Sequence, residues 1–252
     1  MNKQLVVAGF AASMFTAASA SAALIDINTV NGSWISTDPA APDVQTSSVG
    51  VGETDNRISW GDPASPNTQQ SAYQFNSLAP ILGIAEETAF DFGEFTHFNF
   101  PILASGPSLN SATLRVVTNL TIDDGISQQT LDLISFFDFT HNETPNQASP
   151  CADGGSVGSG VNVNGCADSV SIDLNEGMST SVSFGGREYF IDIAGFFAGD
   201  ELVDTFWTAE NQANEATLRG IVTSVVPEPS TFALLGLGLM GLGLRLRKRM
   251  SS

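Results

Sequence analysis

Lysine is nearly missing from this chain. Of its 252 residues only Lys3 and Lys248 are lysine, one near each end. Between Ala23 and Val226 the positive charges are four arginines, Arg57, Arg115, Arg187 and Arg219, set against 26 acidic residues. A net charge near −22 over that stretch excludes the basic footprint that nucleic-acid phosphates demand. It also argues against docking on anionic lipid or acidic polysaccharide by plain attraction, and contact with an acidic polymer would need bridging cations. The direct consequence of so much like charge is solubility.

Other absences narrow the chemistry. No Gly-Lys pair exists to end a phosphate-cradling loop, and neither histidine is followed by Glu, so no His-Glu-x-x-His helix is present. A glycosidase needs only two carboxylates, but with 26 candidates nothing singles out a pair. The expectation is therefore a protein that is not an enzyme. No Thr-x-Thr occurs, which weakens an ice-binding reading, since a flat ice-matching face wants that spacing on successive strands. Cysteine occurs twice, as Cys151 and Cys166, with a segment rich in Gly, Ser, Asn and Val between them and no histidine inside it. In an oxidising compartment such a pair reads as one disulfide rather than a zinc site, worth about 3 kcal/mol in the chain-entropy model.

Long apolar runs are confined to the two ends. At the start, Lys3 precedes the apolar stretch Leu5 to Phe15, and Ala18-Ser19-Ala20 and Ala20-Ser21-Ala22 fit the small-x-small pattern before a signal-peptidase cut. Residues 1–22 are expected to be a signal peptide, with the mature chain starting near Ala23. At the other end, Pro227-Glu228-Pro229 is followed by the charge-free span Thr231 to Leu244 and then by Arg245, Arg247, Lys248 and Arg249. Fourteen helical residues rise roughly 21 Å, short of a hydrocarbon core of about 30 Å. Gly236, Gly238, Gly241 and Gly243 weaken that helix further. The basic tip should stay cytoplasmic and leave the body outside. This order of Pro-Glu-Pro, apolar span and Arg-rich tip resembles the PEP-CTERM sorting signal of bacterial proteins. The resemblance assigns 226–250 to that signal, with a transmembrane segment at 231–244. It implies an exosortase-like membrane protease as partner, brief residence in the inner membrane, and delivery to the cell surface or extracellular matrix.

The body, 23–225, reads as all-β. Short runs of alternating apolar and polar residues are separated by Gly, Pro, Asn and Asp: Leu24–Val30, Arg57–Trp60, Ala72–Phe75, Phe90–Phe100, Thr113–Ile122, Leu131–Thr140, Val170–Leu174, Ser181–Phe184, Glu188–Phe196 and Thr217–Val225. Strand period puts Phe90, Phe92, Glu94, Thr96, Phe98 and Phe100 on one face and Asp91, Gly93, Phe95, His97 and Asn99 on the other. The best helix signal is Asn211–Leu218. Linker-like stretches at Asp38–Asp55, Gly61–Ser71 and Asn142–Gly165 are too short to divide the body. Around ten strands with 17 phenylalanines predict a single β-sandwich domain of jelly-roll type, with a parallel β-helix as the other architecture.

The two histidines sit in echoing blocks, Phe95-Thr96-His97-Phe98-Asn99 and Phe139-Thr140-His141-Asn142-Glu143, which invites a pairing of their strands. The stretch Gly93 to Ile102 resembles the Thr-His-x-Asn motif of THxN family PEP-CTERM proteins. Phe137 to Asn146 is similar to the second block of the same domain, termed choice-of-anchor K. Trp34, Trp60-Gly61, Tyr73-x-Phe75, Asp168-x-Val170, Gly195-Phe196 and Glu210 fall at similar positions. The resemblance implies export and fold but carries no activity.

Metal binding at the blocks would need His97, His141 and Glu143, with Asp91 or Glu94, to converge across neighbouring strands. The structural alternative is histidines bonded to backbone carbonyls or a carboxylate beside the turn Asn142–Asn146. Calcium is the cofactor that acidic Gly-bearing loops would take, from Asp123, Asp124, Asp153 and Asp168. The leading function is a non-catalytic surface or matrix protein associated with exopolysaccharide. A lectin-like, calcium-dependent module is the alternative, binding through His97, Asn99, His141 and Glu143 and stacking Trp34 or Trp60 on sugar rings. A solvent-facing tryptophan would favour the lectin, buried tryptophans the matrix protein, and facing carboxylates about 5–9 Å apart a glycan hydrolase.

Overall fold

The computed structural model describes residues 23–50, 53–174, 179–198 and 201–226. The expected signal peptide and the sorting tail, with Pro227, Glu228, Pro229, Arg245, Arg247 and the span 231–244, lie outside the described residues.

Fourteen strands carry the described chain: β1 Leu24–Asp38, β2 Val44–Ser47, β3 Arg57–Trp60, β4 Ser71–Ser77, β5 Ile81–Ala85, β6 Ala89–Asn99, β7 Ser111–Asp123, β8 Gln128–Asn142, β9 Asp168–Leu174, β10 Val182–Phe184, β11 Arg187–Ala198, β12 Glu201–Val203, β13 Thr205–Thr208 and β14 Gln212–Val225. One sheet has the order β13-β9-β8-β7-β1-β5; the other runs β10-β11-β14-β6-β4-β3-β2, with β12 beside β11. Every strand pairing is antiparallel. The protein is all-β, as its alternating runs require.

Period-two patterning sets the inner faces. Along β7, Ala112, Leu114, Val116, Thr118, Leu120 and Ile122 are buried while their neighbours are not. On β8, Leu133, Ser135, Phe137, Phe139 and His141 point inward in the same rhythm. Side chains from both sheets form one core. Phe95 of β6 stacks on Phe139 of β8 with centroids 5.2 Å apart, and Phe92 meets Phe137 edge-on at 6.1 Å. Burial of each such ring contributes roughly 1.5–3 kcal/mol.

Two expectations are corrected here. The facing of β6 is not a single alternation, because a bulge opposite Leu218 and Arg219 leaves Phe92 without a partner residue. Phe90 and Phe92 face the core before it, and Phe95, His97 and Asn99 face it afterwards. The segment Asn211–Leu218 is not a helix; from Gln212 it forms β14. Asn211 takes a left-handed φ of 61°, and the Asn214 side chain closes the turn by bonding both Ala209 N and Ala209 O at 2.9 Å. Ala216, Leu218, Gly220 and Val222 then turn inward at strand period. Strands β2, β5, β12 and β13 were hidden in short, weakly patterned segments.

Candidate functional site

The histidine blocks do not pair side by side. β6 and β8 belong to different sheets, and their histidines meet across the core with ring centroids 5.2 Å apart. His97 is fully buried and His141 nearly so. Trp60 from β3 stacks on His97 at 5.7 Å and touches His141 edge-on at 5.3 Å. Tyr73 from β4, paired in register with His97, packs against both rings. Asp168 opens β9 opposite Thr208, the last residue of β13. Two residues on, Glu210 lies fully buried in the turn before β14.

Hydrogen bonds define the state of His97. The Thr208 hydroxyl has one proton, which it donates to the Asp168 carbonyl at 3.2 Å. With that proton so placed, its oxygen is free to accept from His97 Nδ1–H, 2.8 Å away. In that tautomer the lone pair belongs to Nε2, which is buried with no partner. Burial first, and the neighbouring His141 second, hold the His97 pKa well below the usual histidine range, so the ring is neutral. His141 joins Tyr73 Oη through Nδ1 at 2.5 Å and lies 3.4 Å from Glu143 Oε2 through Nε2.

Three carboxylates complete the cluster. Asp168 accepts the Thr144 backbone N–H at 2.7 Å through Oδ1, while its Oδ2 has no partner. Both Glu210 oxygens lack one as well. Burial, then the nearby Glu143 charge, lifts Asp168 to about 8, and the same two causes lift Glu210 to about 7. The amides of Asn99 and Asn146 moderate the rise at Glu210, yet neither reaches hydrogen-bond geometry with it, and both amide oxygens stay unpartnered. His97, His141 and Asp168 offer one ligand atom apiece within 4.8 Å of one another, and so do Glu143, Asp168 and Glu210. Two imidazoles and three carboxylates thus share Asp168.

The disulfide loop closes over this end. Cys151 and Cys166 are bonded. Within the loop Asn164 Nδ2 donates to the Glu210 carbonyl at 3.0 Å, and at its base the single Thr144 hydroxyl proton is shared between the carbonyls of Cys166 and Ala167, at 3.2 and 3.0 Å. On the outer side Glu143, Thr144 and Asn146 line a surface pocket of about 510 Å³ together with Ile102 and Leu103. Glu143 is the only partly exposed carboxylate of the three.

The expected site residues divide. His97, Asn99, His141, Glu143 and Asp168 converge, and Trp60 walls their cluster. Asp91 and Glu94 do not join: Asp91 pairs with Arg219 at 3.1 Å, and Glu94 lies opposite Thr217 on the other face of β6. The calcium set is not assembled. Asp123 and Asp124 accept backbone N–H groups of Gly125, Ile126 and Ser127 in the β7–β8 turn. That turn is separated from Asp168 by the length of β8, roughly 45 Å at about 3.3 Å per residue. Asp153 binds Gly155 N and the Asn162 amide inside the disulfide loop. Trp34 and Trp60 are buried, so neither can stack on a sugar. Gly154-Gly155-Ser156-Val157-Gly158 spells a nucleophile elbow, but it follows no strand directly and has no helix after it beyond the short 3-10 turn Gly160–Asn162. Glu210 and Thr208 are the site residues that motif reading of the sequence left unassigned. Period two along Phe206, Thr208 and Glu210 marks all three as inward, and an acidic residue on an inward line was the available signal.

A family model described as the PEP-CTERM protein-sorting motif matches residues 225–248. Comparison with curated proteins returns no match. The chain carries the signal of an exosortase-sorted extracellular protein, which implies export and cell-surface sorting.

Proposed function

We propose that this chain is a non-catalytic surface or matrix protein, cut at its Pro-Glu-Pro by an exosortase-like protease and held in association with exopolysaccharide. The sorting motif at 225–248 carries this reading. The two buried tryptophans support a matrix component over a stacking lectin, and the strongly acidic composition supports a body that stays dispersed outside the cell. The two sheets are taken as halves of a jelly-roll-like sandwich, with 1–22 removed as a signal peptide. Cleavage after Ala22 is supported by the partner that Ala23 already has: its backbone N donates to Glu86 Oε1 at 3.1 Å. Glu86 also receives Arg187 at 2.6 Å and Ser224 at 2.7 Å. Freed from Ala22, the Ala23 nitrogen becomes an ammonium beside that carboxylate.

Mass spectrometry of surface-exposed protein tests the processing. The expected mature chain begins at Ala23 and lacks Arg245–Ser252; a surface form that retains Arg245–Ser252 overturns the reading. Co-sedimentation of the mature chain with the cells' own exopolysaccharide tests the association, and a chain left wholly in the supernatant contradicts it.

A further inference from the structure

We propose that His97, His141, Asp168 and Glu210, with Glu143 on the solvent side, bind one divalent transition-metal ion of the zinc or manganese kind, which locks the ends of the two sheets together. The inference starts from unspent bonding capacity. His97 Nε2, Asp168 Oδ2 and both Glu210 oxygens are buried and have no hydrogen-bond partner, a condition that destabilises a fold, most of all for charged groups. Such atoms are rare in folded proteins, and here they fall in two three-residue ligand groups that share Asp168.

The imidazole chemistry is that of a ligand. Metal-binding histidines hand their second ring N–H to a fixed acceptor, which aims the free lone pair at the ion. Thr208 Oγ1 does this for His97, and Tyr73 Oη stands at the corresponding nitrogen of His141. The contact of His141 Nε2 with Glu143 Oε2, 3.4 Å, is long for a charge-assisted hydrogen bond. It matches the edge of a tetrahedron, about 3.4 Å, around an ion with bonds of about 2.1 Å.

Charge points the same way. Among the described residues none of the three carboxylates pairs with an arginine, and Glu143 alone faces a histidine. Among the described residues Arg187 pairs with Glu86 and Arg219 with Asp91, and Arg57 lies over the Phe98 ring. A dication would neutralise most of that charge, and it would do so where burial makes unpaired charge most costly. Calcium and magnesium favour all-oxygen sets, whereas mixed nitrogen and oxygen ligands select zinc and its neighbours. With three buried ligands in the histidine group and Glu143 and Glu210 grouped about the same Asp168, the site is built as a structural one rather than a catalytic one with an open position. The pocket beside Glu143 gives the ion its way in.

The test uses surface-exposed protein with its disulfide intact, purified without chelator, and does not depend on where its tail is cut. Elemental analysis is expected to find about one transition-metal ion per chain. Chelation should lower the melting temperature, and Zn2+ or Mn2+ should restore it where Ca2+ and Mg2+ do not. Thr208→Val, which removes the acceptor of His97 Nδ1–H, should weaken metal affinity about 10–100-fold. Because Asp168→Asn or Glu210→Gln can unfold the chain, Co2+ loaded into the wild-type protein serves as the second readout: absorption bands of a nitrogen–oxygen set are expected, displaced by Zn2+. Trace metal content with a melting temperature unmoved by Zn2+ and Mn2+ overturns the proposal. Restoration by Ca2+ alone, or unchanged affinity in Thr208→Val, overturns the imidazole ligands.

Discussion

At the residue scale, the consequence of the buried cluster is an unusual pH dependence. Asp168 and Glu210 are lifted to about 8 and about 7, far above the values of about 4 that an unfolded chain gives them. Between those limits the folded state binds more protons than the unfolded state, so stability falls as pH rises. The metal-stripped chain is therefore expected to be most stable near pH 5 and to lose stability progressively up to about pH 8–9. Thermal melts across that range check it; a metal-free chain that gains stability from pH 5 to 8 contradicts the burial of these carboxylates. Bound metal holds both groups ionised and removes the slope.

His97, His141, Glu143 and Asp168 were legible one at a time, because each is a ligand-type residue in a distinctive local run. Their meeting was not. Glu210 stood out only through family resemblance, and Thr208 not at all, since a threonine in a short strand looks like any other until its register opposite Asp168 is known.

At the scale of elements, the bulge in β6 and two glycines make room for one ring. A Cβ added at Gly93 would stand 2.3 Å from Phe75 Cε2, and one at Gly32 2.3 Å from Phe75 Cδ1. Phe75 is fully buried and paired with Phe95, so it cannot swing away. Gly93→Ala is expected to destabilise the protein by about 1–3 kcal/mol through overpacking. Urea denaturation measures this, and a midpoint equal to wild type would show that Phe75 has space to move. The strands with long, strict alternation, β7 and β8, could be read from their residues. Parity in β6 could not, because a bulge depends on what the opposite strand presents. The false helix at Asn211–Leu218 has a similar cause: eight residues of mixed pattern hold no decisive period, and pairing with β6 outweighed local propensity.

On the scale of the whole molecule, the disulfide loop joins the first sheet to the Glu210 turn, since Asn164 bonds the Glu210 carbonyl and Asn162 Oδ1 accepts Ala167 N–H at 2.7 Å. Reducing Cys151–Cys166 should cost about 3 kcal/mol, or a fall in melting temperature of about 6–12 °C for a chain of this size. Calorimetry with and without reductant checks it; an unchanged transition would mean that the loop is held by its hydrogen bonds alone.

The amino-acid sequence by itself determined the address of this protein, its all-β character and the pairing of its two cysteines. Those properties follow from apolar length, terminal charge, period-two alternation and residue count, all of which are local. Tertiary structure alone decided that residues as distant in the chain as His97 and Glu210 join neighbouring ligand groups through Asp168. Convergence across two sheets depends on register, bulges and the loop that caps them, and these are settled by packing between segments rather than within any one of them.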